Sequence, residues 1–137
     1  TGCTATRASP PSRIPRPYRT AWSRPRWRRW TARFLGCWLT EPSQLSVFDA
    51  GGDQVDLEDS WPASGALVLD RRSRMLYRGR QLFINGEAAS VAAEPALRHL
   101  ADARALACDD PRCARLSDEA RSCLADWLDA GWLRYQP

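Results

Sequence analysis

The chain has one histidine, no lysine, and no apolar run close to the ~20 residues that a membrane-spanning helix needs. Each shortage excludes something. A facial triad of two His and one carboxylate cannot be assembled from His99 alone, so this chain cannot by itself build a mononuclear non-haem iron centre. His99 also stands in no motif that would pair it with a Ser or Cys nucleophile, and there is no Gly-rich phosphate loop. The chain alone is therefore not expected to be an enzyme. No charged start leads into a short apolar run, as in a signal peptide, so the expected compartment is the cytoplasm. The five cysteines (Cys3, Cys37, Cys108, Cys113, Cys123) are odd in number and unevenly spaced, unlike a secreted disulfide framework, and reduced thiols are expected.

All 20 basic side chains are Arg. Arg codons are GC-rich and Lys codons AT-rich, which points to a GC-rich coding sequence, and Thr1 in place of Met gives the expectation that the chain belongs to a longer one. Charge divides it sharply. Residues 1–40 hold nine Arg and no acid, about +9, whereas 41–137 hold eleven Arg against sixteen Asp and Glu, about −5. The first 30 residues also contain five of the ten Pro and show neither a helical nor a strand period, so segment 1–31 is expected to be disordered. Two readings of it stay open. Trp22, Trp27 and Trp30 interleaved with Arg24, Arg26, Arg28 and Arg29 supply indoles for base stacking and guanidiniums for phosphates, as in a small basic nucleic-acid-binding protein. The abrupt change of composition near Ala32 equally fits GC-rich DNA translated out of frame.

Beyond that point the pattern becomes regular. From Thr31 to Leu39, Phe34, Leu35, Trp38 and Leu39 are spaced to share one helical face, and Pro42 ends the run. Residues 43–49 look extended, Gly51-Gly52 is a turn or link, and a connector runs to residue 63. Ala66–Leu69 and Met75–Tyr77 read as short strands around the charged turn 70–74. Gln81–Ile84 and Glu87–Val91 flank Asn85-Gly86, the dipeptide favoured in type I′ hairpin turns. Pro95 opens a helix over about 94–106, with Leu97, Leu100 and Ala101 on one face. Ser117 is a helix N-cap followed by Asp118 and Glu119, and Ala120, Cys123, Leu124, Trp127 and Leu128 form a full apolar stripe. Gly131 ends that helix, and Trp132–Tyr135 runs on as a strand. The whole predicts an α+β fold: the disordered arm 1–31, a helical segment and connector 32–62, and a winged-helix-like module 63–137.

Candidate sites follow from chemistry. The last helix carries Asp118, Glu119, Asp126 and Asp129 against Arg121, so it would repel the phosphates that a DNA-reading helix must pair. His99, Cys108, Cys113 and Cys123 are the right ligand types for zinc, but Asp109, Asp110 and Pro111 lie within the gap between the nearest thiols, and Cys123 falls on an apolar helix face. No metal site is expected. Arg71, Arg72, Arg74, Arg78 and Arg80 make either an anion-binding strip or a solvated charged face.

The block Leu69–Ala88 (LDRRSRMLYRGRQLFINGEA), with Ala32–Pro42 (ARFLGCWLTEP), Leu100–Leu106 (LADARAL) and Asp129–Leu133 (DAGWL), resembles the C-terminal region of bacterial cupin or JmjC-type ribosomal oxygenases. The resemblance covers about residues 32–137 and is weak at 51–63 and 107–115. It implies a winged-helix tail of an Fe(II)- and 2-oxoglutarate-dependent arginine hydroxylase acting on a ribosomal protein. In that family the iron-binding His-x-Asp and distal His lie in a preceding β-helix, so no cofactor or metal residue carries over to this chain. A homodimer is implied, with Phe34, Leu35, Trp38 and Leu39 ending the dimerisation element. Arg71, Arg72 and Arg74 are the other candidate contact residues.

Overall fold

The computed structural model describes residues 27–49 and 55–137. In chain order these form α1 (Trp27–Thr40), β1 (Ala66–Leu69), β2 (Met75–Arg78), β3 (Gln81–Ile84), β4 (Glu87–Ala88), α2 (Pro95–Ala103), β5 (Ala105–Ala107), a 3₁₀ turn (Cys113–Arg115), α3 (Asp118–Asp129) and β6 (Leu133–Gln136). The strands make two antiparallel sheets, ordered β5-β1-β6 and β2-β3-β4.

Helix α1 starts at Trp27 rather than Thr31, which corrects the expectation of disorder for the end of segment 1–31. Nothing from Trp27 to Trp30 breaks a helix, and Arg28 and Arg29 are good helix formers. The rest of that arm, with Trp22, Arg24 and Arg26, lies outside the described residues, as does Gly51-Gly52. Residues 43–49 pair with no strand among the described residues; the Ser46 amide instead donates to the Ser43 carbonyl at 2.8 Å, closing a turn.

The two strands flanking turn 70–74 do not form a hairpin with each other. β1 pairs with β5 and β6, while β2 pairs with β3, so the turn passes the chain from one sheet to the next. Backbone amides of Arg72 and Ser73 donate to Asp70 there, to its carboxylate and its carbonyl respectively. The β3–β4 turn has positive φ at Asn85 (46°) and Gly86 (88°), the backbone that the dipeptide specifies. β4 stops at Ala88 instead of reaching Val91. Val91 and Ala93 turn into the core, where the Ala93 amide donates to the Arg80 carbonyl at 2.9 Å.

Helix α2 ends at Ala103, short of the expected 106, because Arg104 takes a left-handed conformation (φ 61°) and redirects the chain into β5. The Arg104 guanidinium holds that reversal by donating to the carbonyls of Asp70 (2.8 Å) and Ser73 (3.1 Å). In α3, Ser117 Oγ accepts from the Ala120 amide at 3.2 Å and satisfies one of the helix's unpaired N–H groups. The same Ser117 is gripped by Glu94, the residue preceding α2, whose carboxylate accepts from its hydroxyl (2.5 Å) and its amide (3.1 Å).

Leu67, Leu97, Leu100, Leu106, Leu124 and Leu133 are almost completely buried between the first sheet and the helices α2 and α3. Each buried side chain of this size contributes about 1.5–3 kcal/mol of transfer free energy. Leu57 is also fully buried, with Val55 and Trp61 packed against the same core. The connector 55–62 is thus part of the module, and a boundary at residue 63 is too late.

Candidate functional site

Helix α1 lies across the second sheet, packed against β2, β3 and β4. Among its described side chains, the buried ones are small. Gly36 is buried against the ring of Phe83, and Thr40, fully buried, donates its hydroxyl to the Gly36 carbonyl at 2.8 Å. That same Oγ1 accepts the Gly86 amide at 3.0 Å, so the last helical residue holds the β3–β4 turn.

The large apolar groups expected to share a helical face all point away from this contact. Phe34, Leu35, Trp38 and Leu39 are 68%, 39%, 61% and 51% exposed. Leu45 and Val47, beyond the helix in the chain, are exposed too. A shallow groove of about 650 Å³ runs beside it, lined in part by Phe34, Trp38, Pro42, Asn85 and Gly86. Scattered exposed apolar residues are ordinary; here four large ones stand on one helix.

The arginine cluster divides. Arg71 and Arg74 are exposed, but Arg72 is engaged on several sides. Its Nε donates to Asp70 Oδ1 at 2.9 Å, its Nη1 donates to the Val47 carbonyl, and its guanidinium stacks over Phe48 with 5.5 Å to the ring centroid. Arg72 is therefore not part of a solvated strip. Arg134, unmarked in the sequence reading, donates its Nε to Asp70 Oδ2 at 3.1 Å, and Asp49 bridges both arginines at 3.8 and 3.7 Å. The Arg72 hydrogen bond holds the Asp70 carboxyl down at about 2, against the opposing effect of burial. Asp70 and Arg134 are 64 residues apart in the sequence, which leaves no local spacing that could have revealed their pairing.

Cys108 and Cys113 lie near enough to feel each other's charge, but no third ligand group joins them among the described residues. Cys108 and Cys113 are buried; burial, aided by Asp110, pushes the Cys113 thiol up to about 11, and burial also raises Cys108. Cys123 faces Ser90 Oγ at 3.5 Å, and His99 sits half-buried on α2. Among the described residues no three His, Cys, Asp or Glu side chains are placed to hold a metal ion. On α3, Asp118, Glu119, Asp126 and Asp129 are exposed, while the Arg121 guanidinium stacks over Trp61. None of the described helices is long and apolar enough to cross a membrane.

The fold has close counterparts. The crystal structure of Escherichia coli ribosomal oxygenase YcfD superposes with a TM-score of 0.60 at 17% identity, over 98% of this chain and 41% of that one. YcfD in complex with cobalt and succinic acid gives 0.61, and in complex with cobalt and 2-oxoglutarate 0.58, each at 17% identity over 99% of this chain and 41% of the other. The chain thus spans about two-fifths of those structures. No curated protein matches it in sequence. A family model described as ROXA-like winged helix matches residues 23–134. That range takes in residues 23–31, the last part of the Arg-rich segment. With more than half of its length matched, the chain belongs to the ROXA-like winged helix family.

Proposed function

We propose that this chain is the accessory winged-helix part of an Fe(II)- and 2-oxoglutarate-dependent ribosomal protein arginine hydroxylase, serving dimer assembly or substrate presentation without turnover of its own. The observation that carries this reading is the family match over residues 23–134. The chain's own residues do not fit an iron centre: His99 is its single imidazole, and no ligand cluster forms around it among the described residues. In the proposed whole, iron and 2-oxoglutarate are held by residues outside this chain, the substrate is a ribosomal protein, and the compartment is the cytoplasm. The outward face of Phe34, Leu35, Trp38 and Leu39 supports a homodimer in which α1 packs on its counterpart.

Two measurements test this. The purified chain, supplied with Fe(II), 2-oxoglutarate and ribosomal protein, is expected to release no succinate; succinate formed together with hydroxylated arginine overturns the accessory assignment. Light scattering of the chain is expected to give the mass of a dimer, falling to a monomer in a Phe34→Ser, Trp38→Ser double variant. A mass that does not respond to that change removes the dimer role of α1.

A further inference from the structure

Arg72 and Arg134 come from different elements, the turn after β1 and strand β6, and meet on one buried carboxylate. Asp70, 5% exposed, receives Nε of Arg72 at 2.9 Å and Nε of Arg134 at 3.1 Å on its two oxygens. Nη2 of Arg72 lies a further 3.4 Å from Asp70 Oδ2. Both guanidiniums are thereby anchored along their Nε edges, and their Nη2 atoms converge outside on Asp49 Oδ2, at 3.8 and 3.7 Å. Those distances are ion-pair contacts, beyond the 2.7–3.2 Å of an N–H···O hydrogen bond. The Asp49 carboxylate is 80% exposed, so it can swing out while Phe48 stays stacked on Arg72 and edge-on to Trp132.

What it would leave is a preorganised seat for an anion. Arg71, exposed and without an ion-pair partner among the described residues, lines the same groove of about 710 Å³ as Arg72 and Arg134. Three guanidiniums against Asp70 alone carry a local charge of +2, which Asp49 brings to +1. Paired guanidinium forks match the oxygens of phosphate in geometry, and a dianion matches the charge that Asp49 leaves half-compensated. We infer that Arg72 and Arg134 form an oxyanion site in which Asp49 is a resident stand-in, and that a phosphate dianion displaces it.

The test uses the full chain with nitrogen-15 in its arginines, following the Nε–H resonances during titration with inorganic phosphate at fixed ionic strength and a pH where phosphate is dianionic. Saturable shifts are expected at Arg72 and Arg134. Asp49→Asn is expected to tighten phosphate about two- to fivefold, the reach of an exposed ion pair, and Arg134→Gln to abolish saturation. Parallel titrations with acetate and dimethyl phosphate, both monoanions, are expected to produce weaker responses. Shifts spread evenly over Arg78 and Arg80 as well, an unchanged affinity in Asp49→Asn, or equal binding of either monoanion would each overturn the proposal. Asp49 is exposed enough that its substitution leaves the fold intact, so the Asn variant decides the matter even if Arg134→Gln unfolds.

Discussion

The ring of Phe83 rests directly on the backbone of Gly36: a Cβ at that position would fall 2.6 Å from three of the ring atoms. A methyl group cannot be accommodated unless the helix or the ring moves. Phe83 is itself 2% exposed and lies on the central strand of its sheet, so the ring has little room to yield.

Gly36→Ala is therefore expected to destabilise the protein. Alanine favours a helix over glycine by about 1 kcal/mol, but overpacking a filled contact costs about 1–3 kcal/mol, and the steric effect wins. Urea unfolding should show a lower midpoint, and amide exchange should quicken first in α1. A more stable variant would mean that α1 does not dock through this contact.

Thr40→Val tests the other end of the same helix. Valine keeps the shape but cannot accept the Gly86 amide, leaving a hairpin-turn donor unpaired at a cost of about 1–3 kcal/mol. Faster exchange of the Gly86 amide is the readout, with the sheet pairing of β2 and β3 retained.

The Asp70 carboxyl sets an acid limit on stability. Its pKa falls from 3.8 to about 2 on folding, so its contribution is complete above the unfolded value and is lost as pH drops from about 4 to about 2. Asp70→Asn should lower stability at pH 7 by about 2 kcal/mol, the worth of hydrogen bonds to a charged group, and should flatten this acid limb. Unfolding midpoints measured at pH 7, 4 and 2 in both proteins check the prediction.

Thiol reactivity should sort by burial. At neutral pH, iodoacetamide is expected to modify Cys37 and Cys123 in the folded protein, with Cys108 and Cys113 reacting only after unfolding, because desolvation disfavours their thiolates. Peptide mass mapping before and after denaturant distinguishes the two groups.

Much of this architecture was legible locally. Asn85-Gly86 encodes its own turn, Ser117 its own cap, and Ala120, Leu124, Trp127 and Leu128 become the buried stripe of α3 as their spacing requires. The misreadings share a tertiary cause. Leu100–Leu106 continues a helical pattern, and β5 exists because distant carbonyls of Asp70 and Ser73 stabilise Arg104 in a conformation that its own side chain disfavours. Leu57 has only Val55 and Trp61 as apolar company in an acidic stretch, too few to set a period that announces its burial. Arg72 sits in a run of charges that reads as solvated until Asp70 turns inward to meet it. The apolar set on α1 was visible as a face. Its exposure was not, since the residues that dock the helix are the inconspicuous Gly36 and Thr40.

That choice of small residues has a mechanical consequence. Because one hydroxyl ends α1 and secures the β3–β4 turn, while Phe83 abuts the helix backbone at Gly36, the helix and the sheet beneath it behave as a single lever. A partner bound to the outward Phe34 and Trp38 would therefore set the azimuth of the sheet as well, one layer away from the side chains it touched.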